Sequence, residues 1–154
     1  MGQEIERKFL VQGEAWRWLG SSEVYAQGYL ATNQGCTVRV RRVGDRGYLT
    51  IKGPTVGCSR SEYEYAIPAT EAAAMLSQLC AKPLIEKTRY KVPVSGLIWE
   101  IDEFAGANQG LIVAEVELSH PDQPIALPDW IGSEVTDDPR YYNSNLAQHP
   151  YSEW

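Results

Sequence analysis

Residues 4–11 read Glu-Ile-Glu-Arg-Lys-Phe-Leu-Val, and their alternation decides the architecture. Successive side chains of a strand point to opposite faces, so Glu4, Glu6 and Lys8 share one face while Ile5 and Phe9 share the other. The same two-residue rhythm returns along the chain. Arg39 and Arg41, then Lys52, Glu62 with Glu64, Lys87 with Arg89 and Lys91, Glu100 with Asp102, and Glu115 with Glu117 all recur at strand spacing. Opposite them stand Val38 and Val40, Leu49 and Ile51, Tyr63 and Tyr65, Tyr90 and Val92, Trp99 and Ile101, and Ala114 and Val116.

Working outward from this first segment, eight alternating stretches emerge: 4–11, 24–31, 37–43, 48–52, 60–67, 86–94, 97–104 and 111–118. Turn-forming runs separate them, such as Asn33-Gln34-Gly35, Gly44-Asp45-Arg46-Gly47 and Gly106-Ala107-Asn108-Gln109-Gly110, as expected of hairpin following hairpin. The predicted class is mainly β, with a few flanking helices in an α+β arrangement. Eight antiparallel strands suffice to close a barrel, which turns a charged face into the lining of a tunnel. The helix with the clearest pattern is predicted at 71–79, with Thr70 as N-cap and Ala72, Met75, Leu76 and Leu79 on one face. Short helices are expected at 15–19 and 141–147. The whole of 1–154 reads as a single domain, the segment from about 128 onward packing on it or capping it.

The sign of the charges matters more than their number. A solvated sheet face usually mixes signs, whereas here like charges repeat within strands. Two carboxylates about 4 Å apart repel by about 4 kcal/mol at an effective dielectric of 20, so repeated Glu-x-Glu calls for cations among the carboxylates. Carboxylate clusters without His or Cys select hard ions such as Mg2+ or Mn2+, and arginine and lysine clusters select phosphate oxygens. Mutual repulsion should raise the carboxylate pKa values, so metal binding and activity should fall as the pH drops.

Composition narrows the classes. The formal net charge of -6 argues against nucleic acid as a partner, and no apolar run approaches the length that spans a bilayer. Cys36, Cys58 and Cys80 lack metal or redox spacing and read as small buried or half-buried thiols of a cytoplasmic protein. His120 and His149 fall outside the strands and read as surface residues. No G-x-x-x-x-G-K-[ST] loop is present. Tyr25, Tyr29 and Trp99 could stack on an organic ring, but packing explains aromatic residues on strands more often. The oligomeric state is open between monomer and homodimer.

The opening EIERKFL resembles the CYTH family, the triphosphate tunnel metalloenzymes. TVRVRR (37–42), LTIKG (49–53), SEYEY (61–65), EKTRYK (86–91), WEIDEF (99–104), AEVEL (114–118) and EVTDDPRYYNSNLA (134–147) follow in that family's order. The resemblance implies an eight-stranded tunnel in which Lys8, Arg39, Arg41, Lys52, Lys87, Arg89 and Lys91 bind phosphates. It implies Glu4, Glu6, Glu115 and Glu117 as principal metal ligands, with Glu62, Glu64 and Asp102 as further ligands or water-orienting groups, and Glu100 at the mouth. Glu4, Glu6, Lys52 and Glu117 are expected to carry catalysis. The implied activity is metal-dependent hydrolysis of a small triphosphate, first of all inorganic triphosphate to diphosphate and phosphate. Thiamine triphosphatase, nucleoside or RNA triphosphatase, and adenylate cyclase chemistry are alternatives within the fold. A non-catalytic polyphosphate or nucleotide sensor, or an interaction sandwich with solvated charged faces, stands outside the enzymatic reading.

Overall fold

A computed structural model describes residues 2–154. Its strands are β1 (Glu4–Val11), β2 (Ser21–Asn33), β3 (Cys36–Val43), β4 (Arg46–Lys52), β5 (Ser59–Arg60), β6 (Glu62–Pro68), β7 (Ile85–Val94), β8 (Leu97–Phe104), β9 (Ile112–Glu117) and β10 (Ile131–Glu134). Two α-helices accompany them, α1 (Ala69–Gln78) and α2 (Asn143–Gln148). The strands run in the order β10-β1-β9-β8-β7-β2-β3-β4-β6, with β5 paired to β1, and every pairing is antiparallel.

Two expectations are corrected here. Among the described residues there are ten strands rather than eight, because β5 and β10 span only two and four residues, too few for alternation to reveal. The hydrogen-bonded ladder also does not run round a closed ring. β6 pairs along β4 only, and the approach to β1 is made by β5, by a bond from Glu6 N–H to the Cys58 carbonyl at 3.1 Å and by one from Glu62 N–H to the Gly2 carbonyl at 3.3 Å.

Three apolar clusters form, two on the outer faces and one on the inner face at one end of the charged band. Phe9, Trp99, Ile101 and Val116 pack with Trp16 and Trp130 on one side, the Trp99 ring meeting Phe9 and Trp130 edge-on at 5.6 and 5.8 Å. Tyr29, Ile85, Phe104 and Val113, on the same strand faces as Gln27, Lys87, Asp102 and Glu115, pack inside with Tyr141 and Leu146 of the C-terminal segment. α1 lies over Val40 through Ala72 and Leu76. At Gly28 of β2 a Cβ would come within 2.8 Å of Cys80 and Leu84, so glycine is what admits the chain leaving α1.

Local details differ from the sequence reading. Pro68, not Thr70, occupies the N-cap of α1 and offers no side-chain bond, since β6 runs directly into the helix. Leu79 falls after the last helical turn and is exposed. Residues Ala15–Trp18 form a single 3-10 turn, and the last helix starts later than expected, after a 3-10 turn at Pro139–Tyr141. Cys36 sits in the β2–β3 hairpin and is exposed, whereas Cys58 is half-buried and Cys80 buried. Tyr63 and Tyr65, expected to pack outward, stay more than half solvent-facing or close to it. His120 and His149 are exposed.

Candidate active site

Register is what concentrates the charge. Across β1 and β9, Glu6 faces Glu117 and Lys8 faces Glu115; across β8 and β9, Glu100 faces Glu115. Arg89 faces Asp102 across β7 and β8, Arg39 faces Thr50 across β3 and β4, and Lys52 faces Glu62 across β4 and β6. One band of the inner face therefore carries all of them, and it encloses a cavity of about 230 Å3.

The cavity is lined by seven carboxylates, Glu4, Glu6, Glu62, Glu64, Glu100, Glu115 and Glu117, and by seven cations, Lys8, Arg39, Arg41, Lys52, Arg60, Lys87 and Arg89. Equal counts conceal a separation. β6, β1 and β9 form a mostly acidic wall, while β7 and β3 form a basic one.

On the acidic side, lysines stand among the carboxylates, as repulsion demanded. Lys8 Nζ lies 2.9 Å from Glu115 and 3.2 Å from Glu6, and Lys52 Nζ lies 2.9 Å from Glu4 and 3.4 Å from Glu62. The carboxylates consequently split. Burial, reinforced by Glu115 and Glu4, pushes the Glu6 carboxyl up to about 8 despite Lys8, and burial followed by Glu4 also raises Glu62 and Glu117. Burial would raise Glu4 and Glu115 too, but Lys52 holds the first below its ordinary value, and Lys8, Arg89 and Lys87 hold the second well below. A uniform rise, expected from repulsion alone, is thus corrected: each lysine lowers the carboxylate it grips most tightly.

On the basic side, neutral groups provide much of the support. Arg39 donates through Nη2 to Thr50 Oγ1 at 3.1 Å, and Thr50 in turn donates to Glu64 at 2.8 Å. The buried Arg39 Nε has no hydrogen-bond partner. Arg41 and Arg89 both lie over the Tyr25 ring, at 4.8 and 5.0 Å, so Tyr25 supports cations. Burial, with Arg39 and Arg89 close by, depresses the Arg41 guanidinium below its ordinary value. Burial brings Lys87 down to about 7 despite the attraction of Asp102.

Two candidates fall outside the lining. Asp102, expected among the metal ligands, is fully buried on the inner face and spends its oxygens on Lys87 at 2.7 Å and on Arg89 at 2.7 and 2.8 Å. Lys91 shares the face of Lys87 and Arg89 but lies beyond the mouth, exposed in a neighbouring groove with Leu97 and Ile98. Glu100 and Glu117 border both spaces, which puts them at the rim. Trp99 belongs to the outer apolar cluster.

Several lining residues lay outside the sequence reading. Arg60 and Thr37 are two residues from Glu62 and Arg39, and the alternation rule would have found them. Thr136, Tyr142, Asn143 and Ser144 come from the C-terminal segment, whose sequence carries no strand periodicity.

The donors suit a hard divalent cation, being carboxylate oxygens throughout. Among the described residues no three His, Cys, Asp or Glu side chains already converge on one metal position; the ammonium groups of Lys8 and Lys52 stand between the carboxylates, where a cation would go.

Comparison with known proteins agrees with this geometry. Residues 2–148 match the CYTH domain. The chain is 53% identical over 151 residues to an inorganic triphosphatase of Acetivibrio thermocellus, covering 98% of this chain and 97% of that protein. It is 40% identical to an inorganic triphosphatase of Nitrosomonas europaea, covering 94% and 96% respectively. A crystal structure of an inorganic triphosphatase superposes with a TM-score of 0.64 at 35% identity, covering 93% of this chain and 96% of the other. The chain belongs to the CYTH domain family.

Proposed function

We propose that this chain is a hydrolase that converts inorganic triphosphate to diphosphate and phosphate with the help of Mg2+ or Mn2+. The observation that carries the reading is the wall of buried Arg39, Lys87 and Arg89 and half-buried Arg41, cations facing a cavity with the Arg39 Nε left without a hydrogen-bond partner among the described residues. A linear triphosphate supplies the missing negative charge, arginine meeting it with a planar fork and lysine as a point charge. The volume of about 230 Å3 lies below the roughly 300–1,000 Å3 typical of sites for larger organic ligands. That favours an inorganic substrate over a nucleotide or thiamine ester, as do the names of the relatives. Of the three rings a base could stack on, Trp99 belongs to an outer cluster, Tyr25 supports Arg41 and Arg89, and Tyr29 reaches the cavity but is buried against Ile85 and Phe104.

Glu4, Glu6, Glu115 and Glu117 would hold the metal, with Glu62 and Glu64 alongside. When bound, the metal neutralises phosphate oxygens and acidifies a water. The protein's own side chains do the remaining work. Arg39, Arg41, Lys87 and Arg89 hold the phosphates in one pose and stabilise the charge that gathers on the departing diphosphate, while Lys8 and Lys52 contribute positive charge from the acidic side. Phosphoryl transfer of this kind needs no protein nucleophile. Asp102 steadies two of the cations. The free thiols support a cytoplasmic setting.

The test is release of phosphate from triphosphate with Mg2+ or Mn2+, abolished by a chelator and by Glu4→Ala or Glu117→Ala. Binding of triphosphate without release would replace the enzyme with a sensor.

A further inference from the structure

Two neutral amides connect the basic wall to the C-terminal segment. Gln27 of β2 is fully buried, and its Oε1 accepts from Arg41 Nε at 2.8 Å. Its Nε2 donates to Asn143 Oδ1 at 3.1 Å, and the same Oδ1 accepts from Lys87 Nζ at 2.9 Å. Chemistry dictates this orientation. Arg41 and Lys87 can only donate, so each must meet an amide oxygen, which leaves the Gln27 NH2 to face Asn143. The two cations come from β3 and β7, on either side of β2.

We infer that the Gln27–Asn143 bridge positions Arg41 and Lys87 for triphosphate without adding a negative charge beside either. The inference rests on the triphosphate reading above. A carboxylate at either position could accept from the same donors, but it would neutralise charge that the substrate needs. Asp102 already takes part of the charge of Lys87 and Arg89, so a second acid would cancel half the formal charge of the four cations in the wall. Asn143 is the first residue of α2, so the bridge also makes the docked C-terminal segment part of the site. Both amides are positioning residues, acting through the cations they hold.

Asn143→Asp preserves shape and every hydrogen bond of the bridge and tests the charge argument, while Gln27→Glu adds the charge beside Arg41 and replaces the donor to Asn143 with an oxygen. Each should raise the Kd for inorganic triphosphate, measured calorimetrically without metal, by about tenfold or more, while the melting temperature of unligated Asn143→Asp stays near that of the wild type. Wild-type affinity in both variants, or affinity lost only in step with stability, overturns the inference. A second measurement is independent of substrate. Exchange of the Arg41 Nε–H with solvent, followed by NMR in the unligated protein, should be slow in the wild type and faster in Gln27→Met. Equal rates would mean that the bridge does not hold Arg41, whatever the protein hydrolyses. A wild type that shows protected exchange but neither binds nor hydrolyses triphosphate would sink the enzymatic reading and leave a bridge without that role.

Discussion

The Lys87 ammonium lies 2.7 Å from the Asp102 carboxylate, with both side chains 1% exposed. Asp102 also binds Arg89, so one buried acid anchors two cations. Asp102→Ala strands both, and breaking a buried pair in this way costs about 3–5 kcal/mol. A fall in the denaturant midpoint is the expected outcome. An unchanged midpoint would mean that water compensates the cations without Asp102.

Glu6 makes stability depend on pH in a predictable direction. Its carboxyl is raised by burial from an ordinary 4.5 to about 8, so the folded chain holds this proton more tightly than the unfolded one. Its cost is absent below pH 4.5, grows between 4.5 and 8, and is complete above 8. Glu6→Gln in metal-free, unligated protein should therefore raise the melting temperature by a few degrees above pH 8 and leave it nearly unchanged near pH 4.5. A gain independent of pH would argue that removal of the charge is not the cause.

Arg39 and Lys91 provide a contrast between two cations on inner faces. Arg39→Ala removes a buried guanidinium from the cavity wall and should raise the KM for triphosphate by about ten- to a hundredfold, the worth of one or two charged hydrogen bonds. Lys91→Ala lies beyond the mouth and should leave KM within about twofold. Steady-state phosphate release measures both. A large effect at Lys91 would extend the substrate site into the groove.

Leu146 is fully buried among Tyr29, Ile85 and Phe104, and it anchors α2 beside the cavity. Leu146→Ala should destabilise the protein by about 2–5 kcal/mol, measured by urea unfolding. Triphosphate should restore part of the loss, because ligand at a hundred times its Kd adds about 2.7 kcal/mol.

Much of the site is legible in strand periodicity. Alternation puts Glu4, Glu6 and Lys8 on one face without any knowledge of what lies opposite, and the repeated like charges imply an enclosed counter-charge. It fails where elements are too short to repeat, as in β5 and β10, and where a residue's neighbours come from distant segments, as at Asn143. It also cannot measure depth along a strand. Lys87, Arg89 and Lys91 are equivalent by periodicity, yet the first two are buried and the third is solvated.

From its sequence alone this protein has antiparallel hairpins, sorted faces and a demand for opposite charges, because those follow from the covalent order of side chains along extended backbone. Pairing register and the docking of the C-terminal segment decide the rest. They determine which glutamate each lysine grips, that Asp102 pairs with the cations rather than lining the cavity, and that two amides hold Arg41 and Lys87. Such choices depend on distances between residues far apart in the chain, and electrostatic and hydrogen-bond energies change steeply over those few ångströms.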